Sequence, residues 1–87
     1  MWKPIISAKV MGYARFLKKW GHTRDLEAVQ STIRDVIADP CAFDGRPPFD
    51  ESAYRRRCGG APHLSEIYAI DETEGVVYID SVMNVRM

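Results

Sequence analysis

The sequence predicts an α+β fold in two layers, an N-terminal helical hairpin packed on one face of a small antiparallel β-sheet. Three observations carry this. Between Ala8 and Asp39 apolar residues recur at helical spacing in two runs, separated only by Gly21–Thr23. From Ala53 onward, runs rich in Ile, Val and Tyr alternate with glycine-containing breaks, the pattern of a three-stranded meander. Between these halves, Asp39–Ser52 (DPCAFDGRPPFDES) gathers three prolines and a glycine and reads as one loop. The 87 residues suffice for one core but not two, so 1–87 is read as a single domain.

Trp2 to Ile6 is a candidate edge strand, the one place in a sheet where Pro4 is tolerated. Ser7 is the expected N-cap of the first helix. Val10, Tyr13, Ala14, Leu17 and Trp20 form its apolar stripe, Gly21 its stop, and Lys9, Arg15, Lys18 and Lys19 its basic outer face. Thr23 is expected to cap the second helix, with Asp25 and Glu27 in the first turn, where the helix dipole favours negative charge. Leu26, Val29, Ile33, Val36 and Ile37 make the cleanest amphipathic stripe in the chain. Asp39-Pro40 closes this helix, because a residue before proline is pushed out of the α region. A link this short makes the two helices an antiparallel hairpin. Phe43 and Phe49 are expected to pin the loop to the domain. Gly75 is expected at positive φ in the last hairpin turn. In the final strand, alternation assigns Val77, Ile79, Met83 and Val85 to the helix side, and Tyr78, Asp80, Asn84 and Arg86 to the bare side.

Charge supplies no general case for nucleic acid: twelve basic residues balance twelve acidic ones. Their distribution is uneven. Residues 1–24 hold Lys3, Lys9, Arg15, Lys18, Lys19 and Arg24 with no acid, while residues 65–80 hold Glu66, Asp71, Glu72, Glu74 and Asp80 with no base. Cys41 and Cys58 make no disulfide framework and match no zinc spacing, and read as free thiols of a reducing cytosol. The N-terminus does not read as a signal peptide, and no apolar run approaches the ~20 residues that cross a bilayer. A soluble, cytoplasmic protein without a membrane partner is therefore expected. Gly-rich phosphate loops, metal-ligand spacings and nucleophile elbows are missing from the sequence, so neither metal nor small-molecule cofactor is expected.

The order strand, helix, helix, loop, meander, with Asp39-Pro40 ending the second helix and the segment AYRRRCGG…IYAIDETEGVVYIDSVMNVR, resembles the RelE/ParE toxin superfamily. The resemblance covers nearly the whole chain in layout. It implies the toxin of a type II toxin–antitoxin system, held by a cognate antitoxin. Members either cleave mRNA without a metal, often in the ribosomal A site, or inhibit DNA gyrase without cutting anything. Arg86 stands where cleaving members hold an arginine on the scissile phosphate, and Arg55, Arg56 and Arg57 match the family's basic strand. A third arginine belongs at the start of the middle strand. Here Ser65 holds its place, and Glu66 fills a slot that is usually apolar.

Cleavage by 2′-hydroxyl attack needs a proton acceptor, a proton donor and cations on the charged phosphorane. Glu66 and His63 are the acid–base candidates, Arg86 with Arg55 or Arg57 the phosphate-binding ones, and Lys18 and Lys19 further RNA contacts. Each has a plainer reading: His63 as a solvated loop residue, Glu66 as a strand-edge or ion-paired residue, the lysines as a solvated helix face. Alternation also sends at least one of the three arginines toward the covered face. There it needs a partner, with Asp71, Asp80 and Glu66 available. The alternative function is a non-catalytic inhibitor on the same scaffold, binding gyrase or another intracellular machine such as a phage or host defence complex.

Overall fold

The computed structural model describes residues 2–84. In chain order they form β1 (Lys3–Ile6), α1 (Ala8–Lys19), α2 (Thr23–Ala38), β2 (Tyr54–Cys58), β3 (Ala61–Asp71) and β4 (Val76–Asn84). The strands make one sheet in the order β1-β4-β3-β2, with β1 parallel to β4 and the remaining pairs antiparallel. The expected meander is present, and the N-terminal strand extends it on one side. Lys3 N–H donates to Gly75 O and Ser7 N–H to Ile79 O, so the odd-numbered amides of β1 point inward. Pro4, which has no N–H, falls at an outward position and removes a donor from the free edge.

Alternation on β3 shows that both helices cover the same face. Leu64 packs with Leu17 of α1 and Ala28 and Val29 of α2. Tyr68, four residues on, packs with Val10 of α1, Val36 of α2, and Val77 and Ile79 of β4. Ile33 and Val82 touch both clusters and join them into one core. Among the described residues, no helix lies on the other face of the sheet.

The ends of α1 explain its position. Ser7 Oγ accepts from Val10 N–H at 3.3 Å, the N-cap bond its sequence position indicates. At the far end Gly21, at φ 71°, lets its own N–H reach Lys18 O and that of His22 reach Leu17 O, the two bonds of a Schellman stop. Thr23 is not the cap of α2. It is already helical, His22 occupies the cap position without a side-chain bond, and the Thr23 hydroxyl only grazes Gly21 O at 3.5 Å. Asp39 ends α2, and Pro40 O accepts a buried 2.7 Å bond from Tyr68 Oη that ties the loop to the sheet. Phe43 packs on Tyr54 at 4.6 Å between ring centroids, whereas Phe49 is 67 % exposed and pins nothing.

One irregularity changes the face assignment of the last strand. Ile67 pairs with Ser81 but Tyr68 pairs with Ile79, so Asp80 is an extra residue, a β-bulge. Beyond it the parity reverses: Val82 joins the core and Met83 pairs with Ser65 on the bare side. Asn84 moves to the helix side, where it lines a pocket with Tyr13, Phe16 and Leu17. The simple alternation expected for Met83 and Asn84 is thus corrected, and Val85 and Arg86 lie outside the described residues. The Asp80 carbonyl freed by the bulge accepts a hydrogen bond from Ser7 Oγ. Ser7→Ala removes both the cap and this bond, and is expected to lower the unfolding free energy in urea by about 1–2 kcal/mol. Thr23→Ala, at a position that caps nothing, should change it by less than about 0.5 kcal/mol.

Candidate functional site

The bare side of the sheet is built from the residues that alternate with the core. On β2, Tyr54, Arg56 and Cys58 face the helices, which leaves Arg55 and Arg57 outward, two residues apart on one strand. Arg55 sits in a row with Ile67 and Ser81, and Arg57 in a row with Ser65 and Met83. Ile67 and Ser65, in the rows beside the arginines, are buried and belong to neither apolar cluster. Tyr78 and Ile5, paired across β4 and β1, continue this face as exposed apolar groups.

The loop before β2 holds the arginine strand from its outer edge. Asp44 N–H donates to Arg55 O at 2.8 Å and Arg55 N–H to Gly45 O at 2.9 Å. Arg57 N–H donates to Asp44 Oδ2 at 2.5 Å. The outer-edge backbone groups of Arg55 and the amide of Arg57 are therefore satisfied by the loop. Among the described residues neither outward guanidinium has an ion-pair partner, and Arg55 Nε is buried without a hydrogen bond. Two cations on a fixed ribbon without carboxylate partners suit a phosphate or another anion. Asp44 and Gly45 escaped notice in the sequence because a polar loop residue gives no sign of where its loop lands.

The inward arginine is Arg56. Its cross-strand neighbour is Glu66, but the contact it makes is a 3.5 Å bond from Nη1 to Asp35 O near the end of α2. None of the three carboxylates proposed for it takes it; the negative end of a helix dipole does.

The remaining candidates are not gathered on the bare face. Glu66 is fully buried beneath the helices, on the same parity as Leu64 and Tyr68. Both its carboxyl oxygens lack a partner among the described residues. Burial alone pushes its pKa from the ordinary 4.5 up to about 8. It lies on an interior strand, not a sheet edge, and among the described residues it has no ion pair across the meander. Beside it, burial pushes the Cys58 thiol up to about 11, against a hydrogen bond with Thr32 that lowers it. His63 turns toward α2, its Nε2 3.4 Å from Asp25 Oδ2. Lys18 and Lys19 are exposed in the last turn of α1, on the helix layer. Arg86 lies outside the described residues. Among the described residues no group of His, Cys, Asp and Glu has the arrangement to hold a metal ion, and no helix is long and apolar enough to cross a membrane.

Glu66 gives the fold a specific pH dependence. The folded chain keeps a proton that the unfolded chain releases near 4.5, so the stability linked to that proton is complete below this pH. It drains as the pH rises, until the folded carboxyl itself ionises near 8. Urea midpoints should fall across this window, a loss on the order of a few kcal/mol in free energy. Glu66→Gln, which cannot ionise, should flatten the profile; an unchanged slope would show that another group carries it.

Among known proteins, no family model matches the chain, and no curated protein is similar to it in sequence. In three dimensions it is similar to a YoeB/ParE toxin from Agrobacterium tumefaciens, with a TM-score of 0.74 and 12 % identity over 97 % of this chain and 99 % of that one. At this identity it is a likeness of fold: the chain, with two helices on one face of a four-stranded sheet, has the RelE/ParE-like toxin fold.

Proposed function

We propose that this chain is the toxin component of a type II toxin–antitoxin pair and that it acts through the bare face of its sheet on a polyanionic target, ribosome-bound mRNA. The observation that carries the reading is the placement of Arg55 and Arg57 side by side on the helix-free face of a toxin-like fold, with no carboxylate paired to either among the described residues. Guanidinium groups so held bind phosphate oxygens and stabilise charge that develops on them. Arg86, which lies outside the described residues, is proposed as a further cation for the polyanion. An antitoxin segment of complementary acidic character is the proposed resident partner, covering the cations until it is removed.

A second reading has a specific observation in its favour. Glu66 lies under the helices and His63 is turned to Asp25, so neither acid–base candidate shares a face with Arg55 and Arg57. A protein that grips its target without cutting it, a gyrase inhibitor or an inhibitor of another intracellular machine, needs only the arginine surface.

Cell-free translation with a labelled message separates the two. Inhibition accompanied by message cleavage, lost in Glu66→Gln or His63→Ala, is the nuclease outcome. Inhibition with the message intact is the binding outcome. In either case Arg55→Ala and Arg57→Ala should each weaken inhibition by about ten- to a hundredfold, the range that ~1.5–3 kcal/mol for a hydrogen bond to a charged group gives. Full potency in the double variant, or growth unaffected by the wild-type chain, would refute the assignment.

A further inference from the structure

Arg56 of β2 and Glu66 of β3 are direct partners in the antiparallel register of the sheet. Both lie on the helix side: Arg56 reaches the last turn of α2, and Glu66 shares the parity of Leu64 and Tyr68. Side chains paired in this way start about 5 Å apart at Cβ, well within the reach of an arginine. Yet the two do not meet. Arg56 Nη1 lies 3.5 Å from Asp35 O, at the limit of a hydrogen bond, and that carbonyl already accepts from Asp39 N–H at 3.0 Å. Glu66, fully buried, leaves both carboxyl oxygens without a partner among the described residues. A strong donor thus holds a shared acceptor loosely, beside two acceptors that hold nothing.

We propose that Arg56 is a proton-controlled latch: it closes on α2 through Asp35 O while Glu66 is protonated, and swings onto the Glu66 carboxylate when that group ionises. The groups around Glu66 leave this answer to Arg56. From β2, Cys58 is a second acid, its thiol held neutral by burial up to about 11. From α2, Thr32 hydrogen-bonds to that thiol, and Asp25, turned to His63 at 3.4 Å, acts on it as a further negative charge. β4 places Val82 opposite Glu66, and α1 adds Leu17 and Tyr13 to the adjoining core. Around Arg56, Tyr54 and Tyr68 stack on the sheet, burial holding the Tyr68 phenol neutral up to about 12, and Asp35 is exposed to solvent. An ionised carboxylate alone in this interior is costly, and a guanidinium forked onto its two oxygens offsets that cost. The neutral acid gives the same swing little reward, so the proton decides which partner Arg56 takes. When Arg56 leaves Asp35, the end of α2 loses a tie to β2, just before the loop that holds the arginine strand through Asp44 and Gly45.

The test is an NMR titration of the full chain from about pH 5 to 10, following the Glu66 carboxyl carbon, Arg56 Nε–H and the Asp39 amide. In the wild type all three should move with one midpoint. In Glu66→Gln the Arg56 and Asp39 signals should stay flat over the same range. Arg56→Met, which keeps an unbranched apolar stem, should raise the Glu66 midpoint by about one to three pH units, because the ionised carboxylate loses its cation. That is a ten- to thousandfold gain in proton affinity. An unchanged or lowered midpoint in Arg56→Met would overturn the latch. So would Arg56 signals that ignore the ionisation of Glu66 in the wild type, and this second comparison decides the matter even where Arg56→Met fails to fold.

Discussion

The alternation of side chains along β3, pressed against a two-helix layer, is the constraint from which the rest of the molecule follows. Leu64, Glu66, Tyr68 and Ile70 form one set, and whatever lies beside them on β2 and β4 is drawn to the same side. That rule turns Arg56 inward and frees Arg55 and Arg57. On β4 it is satisfied only because Asp80 is inserted as a bulge; without it Val82 would face outward and Met83 would enter the core. Ser7 meets this bulge directly, taking the Asp80 carbonyl with its hydroxyl while its oxygen caps α1. One small side chain thereby ties the start of the helix layer to the point where the sheet changes parity.

Glu66 is the unusual member of that buried set. An isolated carboxylate taken from water into an apolar interior is far costlier than the same group protonated, so a group that finds no partner keeps its proton instead. The elevated carboxyl of Glu66 and the elevated thiol of Cys58 belong to one neutral polar patch, with Thr32 completing it between helix and sheet. Arg56, alongside Glu66 on the next strand, directs its guanidinium to a helix carbonyl, a partner that does not require Glu66 to ionise. The interface stays free of buried charge at moderate pH, at the expense of a dependence on one proton.

Much of this was legible in the chain. Helix period, Ser7, Gly21 and Asp39-Pro40 carried their signals locally, and the structure uses each of them where the sequence places it. The edge strand was legible through Pro4, and the last turn through Gly75, which does adopt positive φ at 66°. The bulge was not legible. Ile79-Asp80-Ser81-Val82 contains no glycine to mark it, and the group that secures it lies 73 residues away in sequence. The burial of Glu66 was equally hidden, since glutamate is among the residues least often buried without a partner. Asp44 likewise gave no sign, its role being set by where a long loop returns. Local signals specify elements; the assignment of residues to faces needed contacts distant in the chain.

The neutral total charge does not count against an anion-binding surface. Electrostatic influence in physiological salt fades over about 8 Å. The molecule is 39 Å along its longest axis, and the acidic turn at Asp71, Glu72 and Glu74 belongs to the β3–β4 end. A phosphate approaching Arg55 and Arg57 therefore senses those two cations, the Asp44 carboxylate at the Arg57 amide and the low-dielectric floor of Ile67 far more than the sum over the chain. A local concentration of positive charge is what a polyanion would meet, and a chain without net charge can present it while avoiding the indiscriminate attraction of a uniformly basic protein.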